Sequence, residues 1–120
     1  MQKSNYFDIS DNLDEAMERS EIIAFHHLSE TFTEFRDSLP ENMDIAVSTN
    51  GVIGILEKVV LLCRRGLILL EGRLSDGLPF RAVQTLSRPN LTMLGYPRKE
   101  DDPPRQEIGF AIRDQEFVQD

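Results

Sequence analysis

The sequence is informative first for what it lacks. It has a single cysteine and no tryptophan, and no apolar run approaches the about 18 residues that a membrane-spanning helix needs. One cysteine cannot form an internal disulfide, which fits a reducing compartment. The first residues, MQKSNYFDISD, contain no apolar segment of the kind found in secretory signals. We therefore expect a cytoplasmic protein, compatible with a bacterial source, that does not associate with membranes.

Basic residues are scarce, and the shortage is confined to one part of the chain. The net charge is −8 at pH 7, and residues 1–44 hold 11 of the 21 acidic side chains but 3 of the 13 basic ones. Residues 45–120 balance at 10 of each sign. Binding to nucleic acid depends on clustered Lys and Arg that displace counterions from phosphates. We therefore expect no nucleic-acid partner.

The chain has no catalytic, nucleotide-binding or metal-binding motif. On one face of a helix, Glu30 could bind a metal ion together with His26 or His27. The sequence has no second Glu-x-x-His motif that would complete such a site. Cys63 lies beside two arginines that would activate a thiol, but no histidine or second cysteine accompanies it. A small buried hydrophobic residue is the favoured interpretation of Cys63. We expect no cofactor, no metal and no enzymatic activity.

A long amphipathic helix is the first predicted element. Ser10 or Asp11 can cap its start and Pro40 ends it, which predicts a helix over 10–39 behind a polar leader, residues 1–9. Its apolar residues recur at steps of three, four or seven, namely Leu13, Met17, Ala24, Leu28, Phe32, Phe35 and Leu39. A helix of this length exceeds what one small sheet can cover, so we expect it to bend, project or pair with a second copy.

The rest of the chain is predicted to form a sheet, with residues 57–86 as its central strands. Apolar runs bounded by turn residues predict strands at 43–49, 52–63, 67–74, 78–86, 91–98 and 107–112. Asn50-Gly51 predicts a type I′ hairpin, and Gly54 a bulge. The predicted fold is a single α+β domain, residues 10–113. Its helix packs on one face of a five- to six-stranded antiparallel meander sheet, and a polar tail follows at 114–120.

Three-residue turns ending in Gly66 and Gly77 set the predicted register, which decides the faces of the sheet. The core face then carries Ile45, Leu56, Val60, Leu62, Ile68, Leu70, Leu74, Leu78, Phe80 and Ala82. The opposite face pairs Glu57 with Arg73 and Glu71 with Arg81 at one end. Its other end is an apolar patch of Val59, Leu61, Cys63, Leu67, Leu69 and Val83. This predicted patch either lies under a terminal segment or contacts a second copy or another protein.

Several motifs between Phe32 and Ile112 resemble a family of small uncharacterised bacterial proteins, a domain of unknown function. The first motif is a helix that ends in Phe-x-x-Phe-x-x-x-Leu (Phe32, Phe35, Leu39), and the second is the strand Leu67–Gly72. Polar residues at Gln84, Ser87 and Asn90 follow, and the last matches are Pro97 and the segment Ile108-Gly-Phe110. The chain departs from the family pattern at Thr85, Arg88 and Glu107, where the family has His, Gln and Arg. The resemblance implies the fold and no activity.

The polar residues after the fourth strand offer an alternative site. Gln84, Ser87, Arg88 and Asn90 cluster where the strand breaks, either as a ligand-binding or peptide-binding edge or as ordinary turn and capping residues. We expect a protein-interaction or regulatory module that self-associates, as a dimer, or binds another protein. The alternatives are a secretion-type chaperone, although residues 75–112 lack the further helix of that class, and a small-ligand-binding domain or enzyme.

Overall fold

A computed structural model of the chain places one helix against one six-stranded sheet. Residues 2–105 and 107–113 are described, with side chains from residue 15 onward. The elements are α1 (Gln2–Ser38), β1 (Met43–Thr49), β2 (Val52–Leu62), β3 (Leu67–Arg73), β4 (Pro79–Thr85), β5 (Thr92–Pro97) and β6 (Gly109–Arg113). The predicted α+β fold is confirmed. The helix starts at Gln2, so most of the predicted leader is helical, and the predicted polar tail lies outside the described residues.

The meander holds for the first four strands, and the last two leave it. The sheet order is β4-β3-β2-β1-β5, so β5 crosses over to pair with β1 and not with β4. Strand β2 is long enough to have two neighbours along one side. Its start pairs with β1, and residues from Lys58 onward pair with β6, which runs parallel to it.

The connection between α1 and β1 is fixed by residues on both sides of it. Pro40 cannot continue the helix, and the Asn42 carbonyl accepts a hydrogen bond from the Arg98 N–H at 2.8 Å. The Arg105 Nη1 lies 3.3, 3.0 and 3.3 Å from the carbonyl oxygens of Leu39, Pro40 and Met43. One guanidinium therefore satisfies carbonyls at the helix end and at the start of β1, which ties the β5–β6 loop to this corner.

The register between β2 and β3 differs by one residue from the predicted one. The turn has four residues, 63–66, so that Leu62 pairs with Leu67 and Leu61 with Ile68. Arg64 adopts a left-handed φ of 71°, and its N–H donates to Glu21 Oε2 of α1 at 2.6 Å. A contact from the helix therefore holds a turn conformation that an arginine rarely adopts, and the three-residue turn prediction is wrong here.

This shift moves the residues of β2 to the other face from the one predicted. Val59 and Leu61 join the core under α1, whereas Val60 and Leu62 lie on the opposite face. An irregularity between Leu56 and Lys58 resets the alternation, so Leu56 stays on the core face as predicted. The buried core cluster is Phe25, Phe32, Ile45, Val47, Leu56, Val59, Leu61, Ile68, Leu70 and Phe80.

The register between β3 and β4 is the predicted one. Glu71 pairs with Arg81 and Gly72 with Phe80. The predicted bulge at Gly54 is wrong, because Gly54 pairs regularly with Val47. A Cβ at Gly54 would lie 2.4 Å from the Phe80 ring, so the ring can pack against β2 at this position because it is a glycine. Leu78, predicted in the core, is exposed.

The sheet curves toward its helix-covered face without closing. Gln84 of β4 and Thr49 of β1 both lie on that face, and Gln84 Nε2 donates to Thr49 Oγ1 at 2.7 Å although β3 and β2 separate their strands. In the core between helix and sheet, Phe25 meets Phe110 of β6 edge-on, with ring centroids 6.3 Å apart. Helix α1 therefore packs in the hollow of the curved sheet, and β4 is the last strand on one side among the described residues.

Candidate functional site: the free edge of β4

The predicted apolar patch does not form one open surface. Val59 and Leu61 are buried under the helix, so they cannot contact a partner. Cys63 and Leu69 are buried as well, and Leu67 is half-buried. Val83, on β4, is 55% exposed. Of the predicted interaction residues, Val83 is thus the one that the fold presents to solvent.

The environment of Cys63 opposes thiol reactivity. Burial raises the pKa of the thiol above its ordinary value of 9.0, and the nearby carboxylates of Glu21 and Glu18 raise it further. The arginine expected to activate the thiol is engaged elsewhere, because Arg64 Nη2 contacts Glu18 at 3.3 Å. Cys63 is therefore a buried structural residue, as the sequence favoured.

The polar cluster after β4 is used for internal bonds. Gln84 donates to Thr49 and accepts the Asn90 N–H at 2.7 Å, so both ends of its amide are occupied. Thr85 Oγ1 donates to the Arg88 carbonyl at 3.1 Å, which closes the turn. Ser87 lines a separate pocket with Gly66 and the helix residues Ser20, Glu21 and Ala24. These contacts hold the strand break and the open side of the sheet together, which favours the turn-and-capping interpretation.

Strand β4 ends the described sheet and pairs there with β3. Leu74 N–H donates to Leu78 O, and Leu86 N–H donates to Gly66 O, each at 2.8 Å. Because backbone groups alternate in direction along an antiparallel pair, the even-numbered residues between Leu78 and Leu86 point their N–H and C=O groups at β3. The backbone groups of Arg81, Val83 and Thr85 therefore point outward, away from the sheet.

The outward side of β4 faces a cavity of about 360 Å³ that separates it from the β1–β2 hairpin. Asn50 and Val52 line the hairpin side, and residues 79–84 line the β4 side. Asn50 and Gly51 both have left-handed φ angles, 51° and 82°, as the predicted type I′ turn requires. Val52 of the hairpin is apolar and exposed, and it extends the apolar surface next to this edge.

Some residues of β4 partly protect its edge against pairing with another strand. Pro79 lacks an N–H, and Arg81 places a charge on the strand, paired with Glu71 at 2.6 Å. Arg73 makes the other predicted ion pair of this face, with Glu57 at 2.7 Å. Further along β4, beyond Pro79 and Arg81, Val83 is a β-branched, exposed residue whose backbone N–H and C=O groups point outward. The edge status of β4 could not be seen in the sequence, because it depends on where β5 goes.

Other classes of site find no support among the described residues. No group of His, Cys, Asp and Glu side chains in the described ranges is arranged to hold a metal ion. His27 lies 3.9 Å from Glu30 on an exposed helix face. Within the part of the chain that the structure describes, no helix combines the length and the apolarity needed to cross a membrane.

Comparisons with protein-family models, curated proteins and solved structures find no match to this chain. The resemblance to a domain of unknown function stays a prediction.

Proposed function

We propose that this protein is a protein-interaction module that self-associates by pairing the free edges of β4 from two copies. The observation that carries the proposal is the outward backbone of Arg81, Val83 and Thr85 around an exposed valine. Unpaired strand edges are templates for a further strand, and two identical edges can pair antiparallel across a two-fold axis. Such pairing would continue one sheet across two copies.

The edge is self-complementary in one register. With the two-fold axis at Val83, each Val83 pairs with Val83 of the second copy, and Arg81 lies opposite Thr85. In this register the outward N–H groups of all three residues meet outward carbonyls. The two valines then pack side by side on one face, an apolar cross-strand contact of roughly 0.2–1 kcal/mol.

The neighbouring registers are less favourable. An axis at Arg81 sets two guanidinium groups opposite each other, which is destabilising. An axis at Ala82 sets each Val83 against Arg81 and loses the valine–valine contact. Short edge strands make a small interface, at the low end of the roughly 1,200–2,000 Å² of stable complexes. We therefore expect weak, concentration-dependent association.

In the proposed register Val83 pairs with Val83 of the second copy, and the test uses this symmetry. Val83→Lys and Val83→Glu each place like charges opposite each other, so each variant alone is expected to lose pairing through β4 in light scattering and sedimentation velocity. An equimolar mixture is expected to recover association, because Lys then faces Glu. Ile53→Lys is the matched control, since Ile53 is exposed and apolar but does not lie on β4.

The outcomes distinguish edge pairing from nonspecific association. Recovery in the mixture with an unaffected Ile53→Lys supports the proposal. Association that persists unchanged in both Val83 variants overturns it, as does an equal loss in Ile53→Lys. Val83→Pro gives a second route, because the N–H at this position points away from β3 and its loss leaves the β3–β4 ladder intact.

A further inference from the structure

Arginines from three separate parts of the chain lie at one end of the sheet. Arg113 is the last residue of β6, and its carbonyl accepts the Cys63 N–H at 3.0 Å, so it lies beside the β2–β3 turn, residues 63–66. In that turn the Gly66 carbonyl accepts the Leu86 N–H at 2.8 Å, which brings the segment after β4 to the same end. Three exposed arginines on these segments form what we name the arginine cluster, namely Arg65, Arg88 and Arg113.

The arginine cluster has no internal partner. None of its three side chains makes a hydrogen bond or an ion pair within residues 2–105 and 107–113. Arg64, in the same turn, shows the chemistry that this end supports, because its Nη2 lies 3.3 Å from Glu18 Oε2 and its N–H donates to Glu21. Four arginines thus lie near two carboxylates of the helix, both of which Arg64 already contacts. This end therefore carries a local positive surplus on a chain whose net charge is −8.

A hollow of about 230 Å³ opens beside the arginine cluster, between α1 and the end of the sheet. Its lining residues are Ser20, Glu21, Ala24, Gly66, Leu86 and Ser87. Apart from Glu21, which accepts the Arg64 N–H, they are small or apolar. Arg65 and Arg88 are the chain neighbours of Gly66 and Ser87 in this lining. The hollow therefore has room for one aliphatic side chain, with arginines next to its sheet side.

These two features together favour an acidic peptide segment as the ligand. Guanidinium groups bind carboxylates through paired, charge-assisted hydrogen bonds, and the hollow offers an apolar contact to a side chain between them. Nucleic acid would bring phosphate but no aliphatic side chain, and the net charge of the chain repels a long polyanion. A short acidic segment meets mainly the local charge, because charges separated by more than about 10 Å are largely screened at ordinary salt.

A second copy of this chain is a poor occupant of this site. Helix α1 passes this end of the sheet at residues 20–24 and continues back to Gln2, and residues 1–44 hold 11 acidic side chains against 3 basic ones. Two copies that met across this end would bring their acidic helices together, and like charges at an interface oppose association. The occupant that the charges favour is therefore a segment of another protein.

We propose that this end of the molecule binds an acidic segment of a different protein. One aliphatic side chain of that segment enters the hollow, and its flanking carboxylates bind the arginine cluster. The proposal goes beyond self-association through β4, because it uses other residues and another kind of partner.

NMR titration of the full chain with a blocked peptide, Glu-Asp-Leu-Asp-Glu, tests the site. We expect saturable shifts of the amides around Gly66 and Ser87. Arg65→Gln and Arg88→Gln are each expected to weaken binding about two- to fivefold, the usual size of an exposed ion pair, and the triple variant with Arg113→Gln to lose it. Because all three arginines are exposed, the variants are expected to stay folded, and their own spectra show this directly.

Two further variants separate the charge from the hollow. Arg81→Gln is the matched control, since Arg81 is an exposed arginine that pairs with Glu71 toward the other end of β4, and it is expected to leave binding unchanged. Ala24→Phe fills the hollow from the helix side. It is expected to remove the preference of the wild type for the leucine peptide over a peptide with alanine in place of the leucine.

The outcomes also distinguish this site from the edge of β4. Saturable binding that the cluster variants weaken, and that Arg81→Gln and Val83→Pro leave unchanged, supports the proposal. An equal loss in Arg81→Gln indicates general charge attraction and overturns it. A loss of peptide binding in Val83→Pro assigns the peptide to the β4 edge and overturns it as well. A thymidylate hexamer that competes as strongly as the peptide, or the absence of a saturable shift up to about 1 mM peptide, has the same consequence.

Discussion

Replacing Leu61 tests the observed register most severely, because the predicted register placed this residue on the outer face. Leu61 is 0% exposed, pairs with Ile68 of the neighbouring strand β3 and belongs to the core under α1. Truncation of a fully buried leucine costs about 2–5 kcal/mol, through lost burial and the cavity left behind. A small domain is stable by about 5–15 kcal/mol, so Leu61→Ala should move the urea midpoint strongly.

The matched control is the next residue. Leu62 is half-buried and lies on the opposite face, so Leu62→Ala should cost about 1 kcal/mol, roughly in proportion to its smaller burial. Both free energies of unfolding come from urea titrations followed by circular dichroism at one protein concentration. Neither change touches β4, so self-association affects both equally. A larger cost for Leu62→Ala than for Leu61→Ala would refute the register.

Three further predictions follow from individual contacts. Arg105→Ala removes the bonds to carbonyls at the helix end and should lower the free energy of unfolding by about 1–2 kcal/mol in the same titration. Gln84→Ala should cost about 1–2 kcal/mol, and Gln84→Glu less, since a carboxylate still accepts from the Asn90 N–H and the Thr49 hydroxyl. The raised pKa of the Cys63 thiol means that the unfolded chain loses this proton at a lower pH than the folded one, so stability should fall as pH rises past about 9.0. Titrations across this range should show less of that fall in Cys63→Ala.

The parts of the fold that the sequence predicted are those set by local signals. The 3.6-residue spacing of Phe32, Phe35 and Leu39 predicted the helix face against the sheet. The turn ending at Gly77 gave the correct β3–β4 register, because the N–H of Gly77 closes it locally on Leu74 O. The predicted ion pairs of Glu57 with Arg73 and Glu71 with Arg81 are present.

The errors arise where distant contacts decide the conformation. The β2–β3 turn depends on Glu21, which lies 43 residues from Arg64 in the sequence. No turn rule includes such a contact, and a one-residue shift exchanged the two faces of β2 from Val59 onward. The candidate site was missed for a similar reason. Val83 was selected for its face, but its proposed role depends on the edge position of β4, which results from β5 pairing with β1.

Amide hydrogen exchange at β4, measured by NMR at several protein concentrations, tests the central claim of edge pairing most directly. The amides of Arg81, Val83 and Thr85 point outward, and those of Ala82 and Gln84 bond to β3. Edge pairing predicts that protection of the three outward amides rises with concentration, while the inward amides stay protected throughout. Outward amides that exchange at one fast rate at every concentration, in samples that still self-associate, would contradict pairing through β4.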